Sequence, residues 1–167
     1  MKFLDTHFDD YIQASNIHTL HTTMKKFGSD IPDNISELKN IVLYGPSGVG
    51  KYTQMLRLIK KYSPSELKYE KKMIVTYNKV NYYFKISDIH FEIDMALLGC
   101  NAKLLWNDIF TNIIDVLSAR INKHGIIICK NFHKIHPELL DCFYSYIQKN
   151  NNSINLVYII ITEHVSF

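Results

Sequence analysis

Arginine is nearly missing from this chain: Arg57 and Arg120 are the only two among 167 residues. A protein that grips phosphates with several guanidinium forks needs more than that. Cysteine is scarce as well. Cys100, Cys129 and Cys142 are odd in number and have no metal-ligand spacing, which excludes a disulfide framework and a zinc site and suits reduced thiols in a cytosolic or nuclear compartment. No long hydrophobic run is present. The apolar stretches Ile126–Cys129 and Val157–Ile161 fall far short of the roughly 20 residues that span a bilayer. The opening Met1-Lys2-Phe3-Leu4-Asp5 turns acidic and polar too soon for a signal-peptide core, so the expectation is a protein that is not secreted and has no membrane partner. With 6 glycines and 4 prolines, collagen-like and low-complexity classes are excluded too. What remains is 47% hydrophobic and 21% charged with a net charge of +3, the composition of one globular domain able to bury a core. The bias toward Lys, Ile, Asn and Tyr fits an AT-rich coding sequence.

Hydrophobic periodicity divides the chain. Tyr11, Ile12, Ile17, Leu20 and Met24 predict an amphipathic helix over Asp9–Phe27, ended by Gly28 and followed by a polar loop; together they form an N-terminal segment, 1–35. From 36 onward a single core is expected. Ile41–Tyr44 reads as a short buried strand that breaks at Gly45-Pro46, and Lys51–Tyr62 reads as a helix stopped by Ser63-Pro64. Lys68–Tyr77, Lys79–Ile86 and His90–Met95 are rich in aromatic and β-branched residues and predict a β-hairpin or antiparallel insertion. Ala102–Ile121 has helical apolar spacing. Strand, helix and strand then follow at Gly125–Cys129, Pro137–Gln148 and Leu156–Ile161, with a polar loop at Asn150–Ser153. Continuous apolar strands imply a mostly parallel sheet covered on both faces, hence a three-layer α/β sandwich.

Gly45-Pro46-Ser47-Gly48-Val49-Gly50-Lys51 matches G-x-x-x-x-G-K, the core of a P-loop, between a predicted strand and a predicted helix. Glycines let consecutive N–H groups and the helix N-terminus face phosphate oxygens, and Lys51 adds a positive charge. Residues Gly45 to Thr53 are therefore the candidate nucleotide-binding segment, with ATP or ADP as the ligand. One position departs from the pattern. Tyr52 stands where Ser or Thr ordinarily ligates magnesium, and Thr53 lies about 100° further round the helix. A second departure is at the end of Ile126–Cys129, where a P-loop NTPase carries a metal-binding Asp, often followed by a catalytic Glu. Here the degenerate Walker B position holds Lys130-Asn131. Lysine repels a metal and asparagine cannot act as a base. Asp94, after Phe91-Glu92-Ile93, is an alternative source of the carboxylate, but its strand reads as part of the antiparallel insertion. Mg2+ thus lacks its usual ligands, and nucleotide binding survives these changes better than hydrolysis does.

The order of elements, with Asn40–Thr53, His90–Asp94 and Gly99, resembles the ATPase domain of AAA+ clamp loaders, the replication factor C small-subunit family. It is most similar to the subunit with a bulky residue after the P-loop lysine. The resemblance covers about residues 15–167 and implies a P-loop AAA+ core at 36–167. It also implies Thr162 at the sensor-1 position, near the γ-phosphate, and a degenerate site that hydrolyses ATP weakly or not at all. The implied partners are other clamp-loader subunits, a sliding clamp and primer-template DNA held by the whole assembly. The implied role is loading that clamp in DNA replication, and the Asn- and Lys-rich style is similar to homologues from large DNA viruses and a viral replication compartment. The family continues past Val165-Ser166-Phe167 into an arginine-bearing motif, a lid and a collar, so the chain is expected to be a fragment or a reduced version.

Two other classes compete. An active P-loop kinase or ATPase shares the loop but needs Ser or Thr at position 52 and more arginine. A nucleotide-independent interaction module would keep the loop for structure alone. Elsewhere, Lys60, Lys61, Lys68, Lys71 and Lys72 form a basic stretch best read as a solvated face. His133 and His136 are expected in surface or helix-capping roles. Leu97-Leu98, Tyr82-Tyr83-Phe84 and Phe143-Tyr144-Ser145-Tyr146 are expected to pack in the core.

Overall fold

A computed structural model describes residues 7–17, 21, 27–148 and 154–165. In chain order the elements are α1 (Phe8–Ile17), β1 (Ile41–Tyr44), α2 (Lys51–Lys60), β2 (Lys71–Tyr77), β3 (Val80–Ile86) and β4 (His90–Asp94). They continue with α3 (Ala102–Ser118), β5 (His124–Lys130), α4 (Pro137–Gln148) and β6 (Asn155–Thr162). Six strands form one sheet in the order β1-β6-β5-β4-β3-β2. Pairings β1/β6, β6/β5 and β5/β4 are parallel, whereas β4/β3 and β3/β2 are antiparallel. The fold is thus α/β with a mostly parallel sheet. Beyond residue 17 the predicted first helix falls largely outside the described residues, as do the Asn150–Ser153 loop and the start of the chain.

Period-2 alternation explains how the sheet gathers two cores. Ile126 and Ile128 of β5 and Val157, Ile159 and Ile161 of β6 point to one face, where they join Phe8 and Ile12 of α1 and Met55, Leu56 and Ile59 of α2. Ile127, Cys129, Tyr158 and Ile160 point to the other, against Leu105, Trp106, Ile109 and Ile113 of α3 and Leu139 and Phe143 of α4. Helices therefore cover both faces. Each fully buried large aliphatic side chain contributes about 1.5–3 kcal/mol relative to exposure, so the central strands hold the fold most strongly.

Four expectations need correction. β1 is an edge strand and not a buried one: it pairs only with β6 among the described residues, Ile41 and Leu43 pack against the α1/α2 core, and Val42 and Tyr44, on the opposite face, are 55% and 58% exposed. β4 belongs to the parallel core as well as to the hairpin, since it runs parallel to β5 from His90↔Ile126 to Asp94↔Lys130. The aromatic clusters are only half in the core: Phe84 and Phe143 are buried, while Tyr83 and Tyr144 are exposed on the opposite sides of their elements. Leu97-Leu98 divides in the same way, with Leu97 exposed and Leu98 buried. The hairpin itself is as expected, turning through Asn78-Lys79 with both residues at positive φ, the geometry that matches strand twist.

Candidate functional site

In an open parallel sheet, ligands collect outside the carboxyl ends of the strands, where helix N-termini converge. Here four such ends line up. Tyr44 of β1 is in register with Thr162 of β6, and Asp94 of β4 with Lys130 of β5, so the segments that follow form one rim. The Gly45–Lys51 loop leaves β1 at this rim and feeds α2. Gly48 and Gly50 carry φ of 75° and 83°, and Gly50 is the left-handed residue that starts the helix. A side chain would be strained at both positions, which is why the loop requires glycine there.

A cavity of about 340 Å³ opens between the loop and the rim, lined by residues Ser47 to Thr53 together with Tyr11, Asn131, His133, Ile161, Thr162 and Glu163. Candidates scattered from position 47 to 162 therefore share one space. Lys51 folds back over the loop, its Nζ donating to the carbonyls of Gly45 at 2.5 Å and Pro46 at 2.7 Å. Thr162 is 1% exposed, donates to the His164 carbonyl at 3.1 Å and accepts from the His164 N–H at 3.2 Å. Two further cavities flank the loop. One of about 400 Å³ has a mainly apolar wall including Phe27, Val42 and Val49, and the other lies beside Ala14, Ser15 and Thr53.

Behind the loop sits a polar network that the sequence pattern did not reveal. Tyr52 Oη donates to Glu92 Oε1 at 2.7 Å. The same oxygen faces His90 Nε2 at 3.3 Å, and Lys130 Nζ approaches Glu92 Oε2 at 3.5 Å. Ser87 Oγ and His90 Nδ1 are 2.6 Å apart, which extends the chain of polar contacts inward. The Lys130 ammonium also lies over the Tyr52 ring, 5.0 Å from its centroid, and Tyr11 meets that ring edge-on. Glu92 and His90 are almost fully buried, on the α2 face of β4. Burial by itself raises the Glu92 carboxyl pKa, but the His90 contact, the Lys130 charge and the Tyr52 hydroxyl outweigh it and hold the group below its ordinary value. Burial and the facing carboxylate push the Tyr52 phenol far upward, so it remains a donor.

Lys130 and Asn131 both act through carboxylates of β4. Asn131, in the left-handed region at φ 51°, turns its amide onto Asp94 and donates to both oxygens at 3.0 and 2.9 Å. Asp94 also accepts from the Ala96 N–H at 3.0 Å, capping the short turn that follows. Asp94 is therefore at the rim, contrary to its assignment to the insertion alone. His133 is not simply a surface group: its side chain is 8% exposed, accepts from the Glu163 N–H at 3.3 Å and lines the cavity. The His136 carbonyl accepts from Leu139 and Leu140 at the start of α4, as any residue there would, whereas its ring Nδ1 is buried without a hydrogen-bond partner among the described residues. Neither arginine clamps the site: Arg57 lies in the last turn of α2, and Arg120 donates to the Asp88 carbonyl, at the far end of β4 from Asp94.

A magnesium ion does not fit this donor set. Mg2+ demands oxygen ligands in near-octahedral array at about 2.0–2.1 Å. The Tyr52 hydroxyl is committed to Glu92, Asp94 accepts from Asn131 and Ala96, and Lys130 brings a like charge. Among the described residues no group of three or more His, Cys, Asp or Glu side chains is arranged to hold a metal, and no helix is long and apolar enough to cross a membrane. No protein-family model and no curated protein matches the chain.

Proposed function

We propose that this chain is a nucleotide-holding P-loop domain of AAA+ type that binds ADP or ATP through Gly45–Thr53 and hydrolyses ATP very weakly or not at all. The observation that carries the reading is the convergence at one rim of the glycine loop, the α2 N-terminus, Lys51 and Thr162. Phosphate oxygens would accept from the loop N–H groups, and the Lys51 ammonium would leave the Gly45 and Pro46 carbonyls for them. Thr162 would stand beside the terminal phosphate. Neither position where a P-loop NTPase carries its metal-binding and catalytic acids supplies a base here: Lys130 and Asn131 stand there, Asp94 is bonded to Asn131, and Glu92 is buried behind Tyr52.

The resemblance to clamp-loader small subunits gives this domain a place in a replication assembly, in which bound nucleotide stabilises the interface to an active neighbour. In related clamp loaders the region just ahead of the long helix touches the sliding clamp, and Leu97, exposed just ahead of α3 while Leu98 is buried, would be this chain's contribution. Isothermal calorimetry with ADP and ATP, with a phosphate-release assay on the same sample with and without primed DNA, tests the reading. Binding without release is expected, and magnesium-dependent turnover would refute it. A second reading, a structural module with a retired loop, draws on the two hydrogen bonds by which Lys51 satisfies the loop's own carbonyls. It predicts no heat of binding for either nucleotide.

A further inference from the structure

We infer that the Lys130 ammonium serves this site in place of a divalent cation, so that the nucleotide phosphates bind without magnesium. The inference rests on the nucleotide reading above. Lys130 ends β5 immediately before Asn131, which lines the cavity shared with Ser47–Thr53. Its Nζ is held at the first turn of α2, 5.0 Å from the centroid of the Tyr52 ring, and Tyr52 directly follows Lys51. It is anchored from behind: Glu92 draws it at 3.5 Å, and that carboxylate is fixed in turn by Tyr52 at 2.7 Å and faces His90 at 3.3 Å. An ammonium has three N–H donors. One is directed at Glu92, the ammonium also faces the Tyr52 ring, and the side chain remains 31% exposed, so donor capacity remains for a phosphate oxygen brought to the first turn of α2.

The departures from the P-loop pattern at Tyr52 and Lys130 thus have one cause. Tyrosine stands at the position of the hydroxyl ligand, lysine stands at the position of the acidic ligand and brings its ammonium to the metal's place, and a buried glutamate locks the two together. A bare Lys130 would be mobile, and a bare Glu92 would be a buried charge without a partner. A divalent ion brought to the same place would meet the ammonium at close range, and the carboxylates of Asp94 and Glu92 already accept from Asn131, Ala96 and Tyr52. The site is accordingly matched to a metal-free nucleoside diphosphate or triphosphate.

The test titrates ADP into the full chain by calorimetry, in excess EDTA and in millimolar magnesium, for wild type, Lys130→Met, Lys130→Arg and Lys51→Ala. Methionine keeps the aliphatic stem over Tyr52 and removes the charge. Wild-type affinity in EDTA is expected to equal or exceed that in magnesium, Lys130→Met to lose about tenfold in EDTA, and Lys130→Arg to retain most of it. Binding that requires magnesium, or Lys130→Met binding like wild type in EDTA, would overturn the inference. If Lys51→Ala alone abolishes binding, the nucleotide reading stands and this inference fails. Absence of wild-type binding in both buffers overturns the two together. Should Lys130→Met not fold, as read by circular dichroism, the wild-type comparison between EDTA and magnesium decides.

Discussion

Replacing Tyr52 by phenylalanine removes a single oxygen and leaves the ring between Tyr11 and Lys130. That oxygen makes the shortest hydrogen bond to the Glu92 side chain, 2.7 Å, against 3.3 Å for His90 and 3.5 Å for Lys130. Glu92 is only 3% exposed, so water cannot readily take the vacated position. A hydrogen bond to a buried charge contributes about 1.5–3 kcal/mol, and the variant should lose that amount. For a domain of this size the loss corresponds to a fall in Tm of roughly 3–12 °C. Urea unfolding followed by circular dichroism measures the free energy, and thermal melts supply the second figure. The double variant with Glu92→Gln separates the pair from its surroundings: if the hydrogen bond carries the effect, the double variant is less destabilised than the sum of the singles. A Tyr52→Phe protein that melts within about 1 °C of wild type would refute the claim that Tyr52 holds the buried carboxylate.

The same network sets an acid dependence. Glu92 titrates below its ordinary value of 4.5 in the folded chain, so the unfolded chain takes up the proton first as the pH falls. Its contribution is fully present above the ordinary carboxylate range and is lost as the pH drops through the folded value. Glu92→Gln should therefore be less stable at neutral pH but show a flatter acid limb in pH-dependent urea unfolding; an unchanged slope would contradict the assignment. Asp88, held down by Ser63 and Ser65 against its partial burial, keeps part of that limb in the variant. Gly50→Ala places a Cβ on a residue at φ 83° and should cost about 1–2 kcal/mol in stability and weaken ADP binding, since open space around the Cβ leaves backbone strain as the only penalty. Trp106→Ala empties a fully buried site packed against Phe143 at 5.1 Å and should cost about 3–5 kcal/mol by urea unfolding without touching the loop.

Much of the architecture was legible because periodicity and punctuation agreed. Proline near the start of α4, glycines around Lys51 and unbroken isoleucine runs in β5 and β6 each have a local cause that the chain displays in order. The edge position of β1 was not legible: Ile41–Tyr44 is as apolar as a central strand, and only the pairing partners decide which faces are covered. Asp94 was misread for a related reason. Phe91-Glu92-Ile93-Asp94 alternates as a half-exposed strand would, yet β4 is covered on both faces and its polar positions turn inward to Tyr52, Lys130 and Asn131. The one available signal was that each unusual residue had a complement elsewhere: a phenol and a lysine in place of metal ligands, and an acid in mid-strand. Pairing them requires the register of β4 against β5, which spacing along the chain does not contain.

The central claim is that the rim formed by the Gly45–Lys51 loop holds nucleotide phosphates. Calorimetric titration of ADP into the wild-type chain and into Lys51→Ala, with circular dichroism to show that both are folded, tests it most directly. Saturable binding by wild type that disappears in Lys51→Ala is the predicted result. Folded wild-type protein that gives no heat with ADP, or a Lys51→Ala variant that binds ADP as tightly as wild type, would contradict it.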